Sequence, residues 1–169
     1  MINKKVCLLG AFSVGKTSLV SQYVHSIFSD RYLSTIGVKI SKKQLNVGDE
    51  ETTLVIWDME GKDVYTDVKV SYLRGASGFF VVADGTRKET LDEAMSLRKL
   101  AFEVLGEVPC YLLLNKSDLT QKWEITDEMI ADVLHQDVKT IMVSARTGYS
   151  VQVAFESLAR DMIREGQKS

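Results

Sequence analysis

Hydrophobic positions follow two rhythms along the chain. Short continuous apolar runs recur at Val6-Cys7-Leu8-Leu9, Leu54-Val55-Ile56-Trp57, Phe79-Phe80-Val81-Val82-Ala83, Tyr111-Leu112-Leu113-Leu114 and Ile141-Met142-Val143. Runs this short and unbroken read as strands buried on both faces. Between them the apolar positions take helical spacing. Leu19, Val20 and Tyr23 share one side of a helix that starts at Lys16. Leu91, Ala94, Leu97, Ala101 and Val104 line a helix over about 88–105, Met129, Ile130 and Val133 one over 126–134, and Val151, Phe155, Leu158 and Ile163 one over 151–163. Thr86, three residues before Glu89, has capping-box spacing and is the expected N-cap of the second helix, as Thr126 is of the third. Val38 and Ile40 alternate with lysines, and Gly48-Asp49-Glu50-Glu51 reads as a turn before the run at 54–57, which predicts an antiparallel hairpin. Apolar strands separated by amphipathic helices mean an α/β fold with a parallel sheet covered on both sides, and the hairpin adds one antiparallel edge strand. With one Pro, 11 Gly and no linker or repeat, residues 1–169 are expected to form one domain.

Composition narrows the function classes. The chain carries 21 Lys plus Arg against 23 Asp plus Glu, a formal charge of −2. Without a basic surplus, an electrostatic nucleic-acid binder is disfavoured. Cys7 and Cys110 each sit inside or beside an apolar run and read as reduced, buried thiols. No apolar run approaches a membrane span, and the start at 1–5 enters a strand pattern, so a cytoplasmic protein is expected. His25 and His135 have no ligand partners at metal spacing, and Lys42-Lys43 reads as the solvated face of an edge strand.

In such sheets ligands bind beyond the carboxyl ends of the strands. The first strand ends in Gly10-Ala11-Phe12-Ser13-Val14-Gly15-Lys16-Thr17, the full G-x-x-x-x-G-K-[ST] pattern, and it opens a helix. Glycines let the backbone wrap closely, so the N–H groups from Ala11, Ser13, Val14 and Gly15 through Ser18 are placed for phosphate oxygens. Lys16 neutralises the β- and γ-phosphates, and the Thr17 hydroxyl can hold Mg²⁺. Asn115-Lys116-Ser117-Asp118 at another strand end selects the base. The Asp118 carboxylate can accept from the guanine ring N–H and exocyclic amine together, a pair adenine does not offer. Asn115 can tie this loop to the phosphate loop, and the Lys116 stem can lie along the base. Asp58, in Asp58-Met59-Glu60-Gly61, suits a Mg²⁺ ligand acting through water, and the Gly61 N–H can meet the γ-phosphate.

These motifs, in this order and spacing, resemble the Ras superfamily of small GTPases over nearly the whole chain. Ser34-Thr35-Ile36-Gly37-Val38, Trp57-Asp58 and Tyr72-Leu73-Arg74-Gly75-Ala76 make the resemblance closest to Rab-type members. It implies a three-layer P-loop NTPase fold with a six-stranded, mostly parallel sheet and about five helices, and a GTP/GDP switch that uses Mg²⁺ and hydrolyses GTP. It implies further that Thr35 binds Mg²⁺ by its hydroxyl and the γ-phosphate by its N–H, that Phe28 packs beside the guanine and that Tyr32 closes over the phosphates. Ser144-Ala145-Arg146 matches the family's S-A-K loop with Arg in place of Lys, and Ala145 would offer its N–H to guanine O6. Two switch segments, about 28–38 and 58–74, would meet effector, exchange factor and activating protein.

The chain departs from the family pattern at the second switch, which usually reads D-T-A-G-Q-E and here reads Asp58-Met59-Glu60-Gly61-Lys62-Asp63. Lys62 stands where a glutamine orients the attacking water, and a protonated lysine has no acceptor, so slow hydrolysis is expected. Alternatively Lys62 neutralises charge on the γ-phosphate, or Glu60 or Asp63 positions the water. Phe12 either crowds the space an arginine finger would use or turns outward against the second switch. Trp57 is either core or part of an effector-facing surface. The segment 165–169 has no cysteine, so the prenylation typical of such proteins is not expected here: either a C-terminal tail has been removed, or the protein works without a lipid anchor as a bacterial member would. A pseudo-GTPase that holds nucleotide without useful turnover is the alternative reading. A nucleotide kinase would need Arg-rich lid segments and would leave 115–118 unexplained.

Overall fold

A computed structural model describes residues 1–29, 37–59 and 67–168. Strands β1 (Ile2–Gly10), β2 (Val38–Val47), β3 (Glu50–Met59), β4 (Gly78–Asp84), β5 (Cys110–Asn115) and β6 (Thr140–Met142) form one sheet in the order β2-β3-β1-β4-β5-β6. Every neighbouring pair is parallel except β2 and β3, whose antiparallel ladder runs from Val38 opposite Met59 to Val47 opposite Glu50. Helices α1 (Lys16–His25), α2 (Asp67–Leu73), α3 (Glu89–Leu105), α4 (Asp127–His135) and α5 (Val151–Lys168), with a short 3₁₀ turn at Thr120–Lys122, complete the architecture among the described residues.

Alternate residues of each central strand feed two separate cores, as the two-residue period of a strand requires. Val6, Leu8, Ile56, Phe80, Val82 and Leu113 pack under α1 and α5, where Tyr23 stacks on Phe155 with ring centroids 4.1 Å apart. Cys7, Leu9, Phe79, Val81, Leu112 and Leu114 pack under α3 and α4 with Leu91, Ala94, Leu97 and Val133. Strand β4 is buried along its whole length, which explains its unbroken apolar run. From β1 the chain moves to β2 and β3 on one side and then returns to β4 on the other. The end of β1 therefore lies at the point where strand order reverses, the position that suits a ligand. Register lines up the polar strand ends: Leu8 lies opposite Asp58, Gly10 opposite Val82 and Asp84 opposite Asn115.

Several local expectations change. Thr86 does not cap α3: its hydroxyl and N–H both go to Asp84 Oδ1, at 2.7 and 2.9 Å, and Lys88 takes the cap position without a side-chain bond. A carboxylate two residues upstream competes successfully for the hydroxyl, as Asx-type turns do. Thr126 does cap α4, accepting from the Met129 N–H at 3.1 Å. The hairpin loop is narrower than the four-residue turn expected, since Glu50 already pairs with Val47. Helix α5 continues past Ile163 because its last turn is charged and solvated, with Lys168 pairing Glu165 at 3.2 Å. Strand β6 sits one residue earlier than expected, at Thr140–Met142. Cys7 is buried but Cys110 is only half-buried, and burial pushes both thiols up to about 12. Lys43 leans over the Tyr23 ring at 5.5 Å instead of standing free in solvent. Trp57 is half-buried at the edge of the second core, with Lys5 Nζ 3.6 Å above its ring and Tyr72 tilted beside it, so it belongs partly to the core and partly to the surface. No described helix is long and apolar enough to cross a membrane.

Candidate functional site

The loop between β1 and α1 is shaped by backbone conformation. Ser13 and Gly15 have φ of 64° and 99°, the left-handed region, so the chain curls back on itself before α1 begins. Alternating left-handed residues gather successive N–H groups into an anion-binding hollow. Glycine is required at 15 on two counts: the positive φ, and a Cβ there that would stand 2.3 Å from Asn115 Nδ2. At Gly10 a Cβ would lie 2.6 Å from the Val82 carbonyl oxygen, so that glycine lets β1 and β4 stay paired up to the loop.

Lys16 opens α1 and folds back under the loop, its Nζ donating to Gly10 O at 2.8 Å and Ala11 O at 3.1 Å. Burial lowers this amine to about 8; the Asp58 carboxylate works against that shift and the Arg87 guanidinium adds to it. The next residue, Thr17, donates its hydroxyl to Asp58 Oδ2 at 2.5 Å, and Asp58 is almost fully buried. A hydroxyl and one carboxylate side by side are hard oxygen donors that fit Mg²⁺, which takes few protein ligands and completes its shell with water and phosphate. Among the described residues no cluster of three or more His, Cys, Asp or Glu could hold a metal ion, so an ion here would depend on those additional oxygens.

The loop after β5 is tied to the first by side chains. Asn115 Nδ2 donates to Val14 O at 2.9 Å while its Oδ1 accepts from the Ala145 N–H at 3.2 Å. Lys116, with φ 67°, sends Nζ to Ser13 O at 3.2 Å and to Asp84 Oδ2 at 2.8 Å. Asp118 is half-buried and accepts from Ser144 Oγ at 2.8 Å; that oxygen in turn accepts from the Thr147 N–H at 3.1 Å. Four segments, at the ends of β1, β3 and β5 and after β6, thus meet at the carboxyl ends of the strands. A model of the Ras family matches residues 5–164 of the chain.

The chain belongs to the Ras family. Among its curated relatives, the Ypt/Rab-type GTPase YPT7 of Saccharomyces cerevisiae is 32% identical, over 96% of this chain and 83% of its own. Ras-related protein Rab-24 of Dictyostelium discoideum is 33% identical over 96% and 82%, and Ras-related protein Rab-17 of Mus musculus 35% over 95% and 76%. These relatives make the chain a Rab-like small GTPase of the superfamily, with the mostly parallel six-stranded fold described above.

For a Ras-family chain, the structure brings together Lys16, Thr17, Asp58, Asn115, Lys116, Asp118, Ser144 and Ala145, around the loop of Ala11, Ser13, Val14, Gly15 and Ser18. Phe28, past the end of α1, is 37% exposed, and Arg146 is exposed beside Ala145. The Ala145 N–H expected to face guanine O6 is engaged by Asn115 Oδ1. Phe12 is 39% exposed, so its ring is turned partly outward. Tyr32, Thr35, Glu60, Gly61, Lys62 and Asp63 lie outside the described residues.

Sequence reading missed Asp84, Arg87 and Trp123. Asp84 is fully buried at the end of β4. Burial works to raise its carboxyl, but hydrogen bonds from Lys116, Thr86 and Arg87 outweigh it and hold the group below the usual carboxylate range. Trp123 lies flat on Gly85, where a Cβ would meet its ring at 1.8 Å, and Glu124 N–H donates to Gly85 O at 2.7 Å. The signal for Asp84 was present: a lone carboxylate closing an apolar strand, the same feature that singled out Asp58.

Proposed function

We propose that this Ras-family chain is a single-domain, cytoplasmic switch that binds GTP and GDP with Mg²⁺ and hydrolyses GTP slowly. The observation that supports it most is the Asp118 carboxylate, held by Ser144 Oγ at 2.8 Å on a loop that Asn115 ties to the Val14 carbonyl. A carboxylate so fixed accepts from the two donors on guanine's edge, while the loop from Ala11 to Ser18 takes the phosphates. Lys16 exchanges its two carbonyl partners for phosphate oxygens; Thr17, and Thr35 by family resemblance, would hold Mg²⁺ directly, and Asp58 would hold it through water. The metal supplies charge neutralisation on the phosphates. Phe28, Tyr32, Ser144, Ala145 and Arg146 complete the nucleotide contacts in this reading.

Catalysis then consists of positioning and electrostatic stabilisation by Lys16, Thr35 and the Gly61 N–H. Lys62 in the glutamine position lacks the acceptor that would orient water, so turnover is slow. Partners of the switch segments would be an effector, an exchange factor and an activating protein. Lys62 also favours the second reading, a pseudo-GTPase. To decide, the purified protein is stripped of nucleotide, loaded with GTP, and phosphate release is followed in a single turnover with and without Mg²⁺. Slow Mg²⁺-dependent release is expected; release no faster than in buffer leaves the pseudo-GTPase.

A further inference from the structure

Three consecutive carbonyls of the phosphate loop are each held from outside by a side chain. Arg87 Nη2 donates to Phe12 O at 2.8 Å, Lys116 Nζ to Ser13 O at 3.2 Å, and Asn115 Nδ2 to Val14 O at 2.9 Å. In a trans peptide the carbonyl of one residue and the N–H of the next point in opposite directions. Holding these three carbonyls outward therefore aims the N–H groups of Ser13, Val14 and Gly15 into the hollow.

Two of the three donors are themselves held by one carboxylate. Asp84 Oδ2 takes Arg87 Nε at 3.0 Å and Lys116 Nζ at 2.8 Å, while its Oδ1 takes the Thr86 N–H and hydroxyl. Asp84 lies opposite Asn115 in the β4–β5 register, so its place beside the base loop is set by the sheet itself. We propose that Asp84 and Arg87 are a positioning pair for the nucleotide: Arg87 aims the Ser13 N–H at phosphate, and Asp84 couples that aim to Lys116 in the base loop. The inference rests on the reading of the site given above.

A guanidinium suits this bridge because its planar fork offers Nε to one acceptor and Nη2 to another at fixed separation, which a lysine ammonium at the end of a flexible stem does not. The Arg87 side chain is 37% exposed, so its replacement leaves the cores intact. GDP lays two phosphates in the loop and GMP only one, so a loosened loop costs GDP more.

The experiment is competition against a fluorescent GDP, giving affinities for GDP and GMP in the wild type, Arg87→Gln and Arg87→Lys. Arg87→Gln is expected to weaken GDP by about tenfold and GMP by less than about threefold, the loss of one charge-assisted bond acting on the phosphate loop. Arg87→Lys is expected to stay within about threefold of Arg87→Gln, since charge without the fork does not rebuild the bridge. An unchanged GDP-to-GMP ratio in Arg87→Gln, or full rescue by Arg87→Lys, overturns the pair while guanine-nucleotide binding stands. A wild type that binds neither nucleotide overturns the reading of the site, and the pair with it.

Discussion

In the proposed reading, the loops after β1 and β5 serve one nucleotide by opposite means. Between β1 and α1 the working groups are backbone N–Hs, and the side chains that matter most are absent ones: Gly15 exists so that Asn115 Nδ2 can approach. After β5 the working groups are side chains, with Asn115 spanning Val14 and Ala145, Lys116 reaching Ser13 and Asp84, and Asp118 on Ser144. The first loop is therefore vulnerable to added atoms and the second to altered chemistry.

The largest effect is expected in the backbone loop. Gly15→Ala places a Cβ against Asn115 Nδ2 and forces a non-glycine residue to φ 99°, breaking the link between the two loops at once. Strain of about 1–2 kcal/mol plus about 1–3 kcal/mol for the buried Asn115 amide left unpaired sums to about 2–5 kcal/mol, which should weaken GDP roughly several-hundredfold in equilibrium binding. In the side-chain loop, Asp118→Asn keeps the shape but replaces one acceptor with a donor. GDP should weaken by about a hundredfold and XDP should bind better than GDP, because xanthine presents the complementary acceptor. If Asp118→Asn left the base preference unchanged, the contrast between the loops would collapse.

The smallest effect concerns the brace behind both loops. Asp84 is held below its ordinary value, so its stabilisation is complete above the unfolded value of 3.8 and is lost as pH falls through the lower folded value. In thermal melts from pH 6 downward, Asp84→Asn should start less stable than the wild type and lose less over the acid limb. Parallel acid limbs would mean that the carboxylate is not braced by Lys116, Thr86 and Arg87.

The fold was legible because the central strands carry unbroken apolar runs, the edge strand β2 alternates apolar with polar residues, and each long helix carries its own face. Val81 and Phe80 alternate between the two cores inside one run, which periodicity alone reports as burial on both sides. Element ends were less legible. Thr86 has the spacing of a capping residue, yet Asp84 takes its hydroxyl, and no local pattern ranks those two partners. The site followed the same division. Lys16, Thr17, Asp58 and Asp118 stand in motifs whose spacing can be matched to a guanine nucleotide from the sequence alone. Asp84, Arg87 and Trp123 stand in no such spacing, and their roles come from strand register and from the flat approach of an indole to Gly85.

The central claim is that a carboxylate at 118 and a backbone hollow at 10–18 together select a guanine nucleotide. It is tested most directly by the ratio of GDP to ADP affinity in the nucleotide-stripped wild type with Mg²⁺ present. A carboxylate that pairs two guanine donors and meets none on adenine predicts a preference for GDP of at least about a hundredfold. Equal affinities for GDP and ADP would contradict the account.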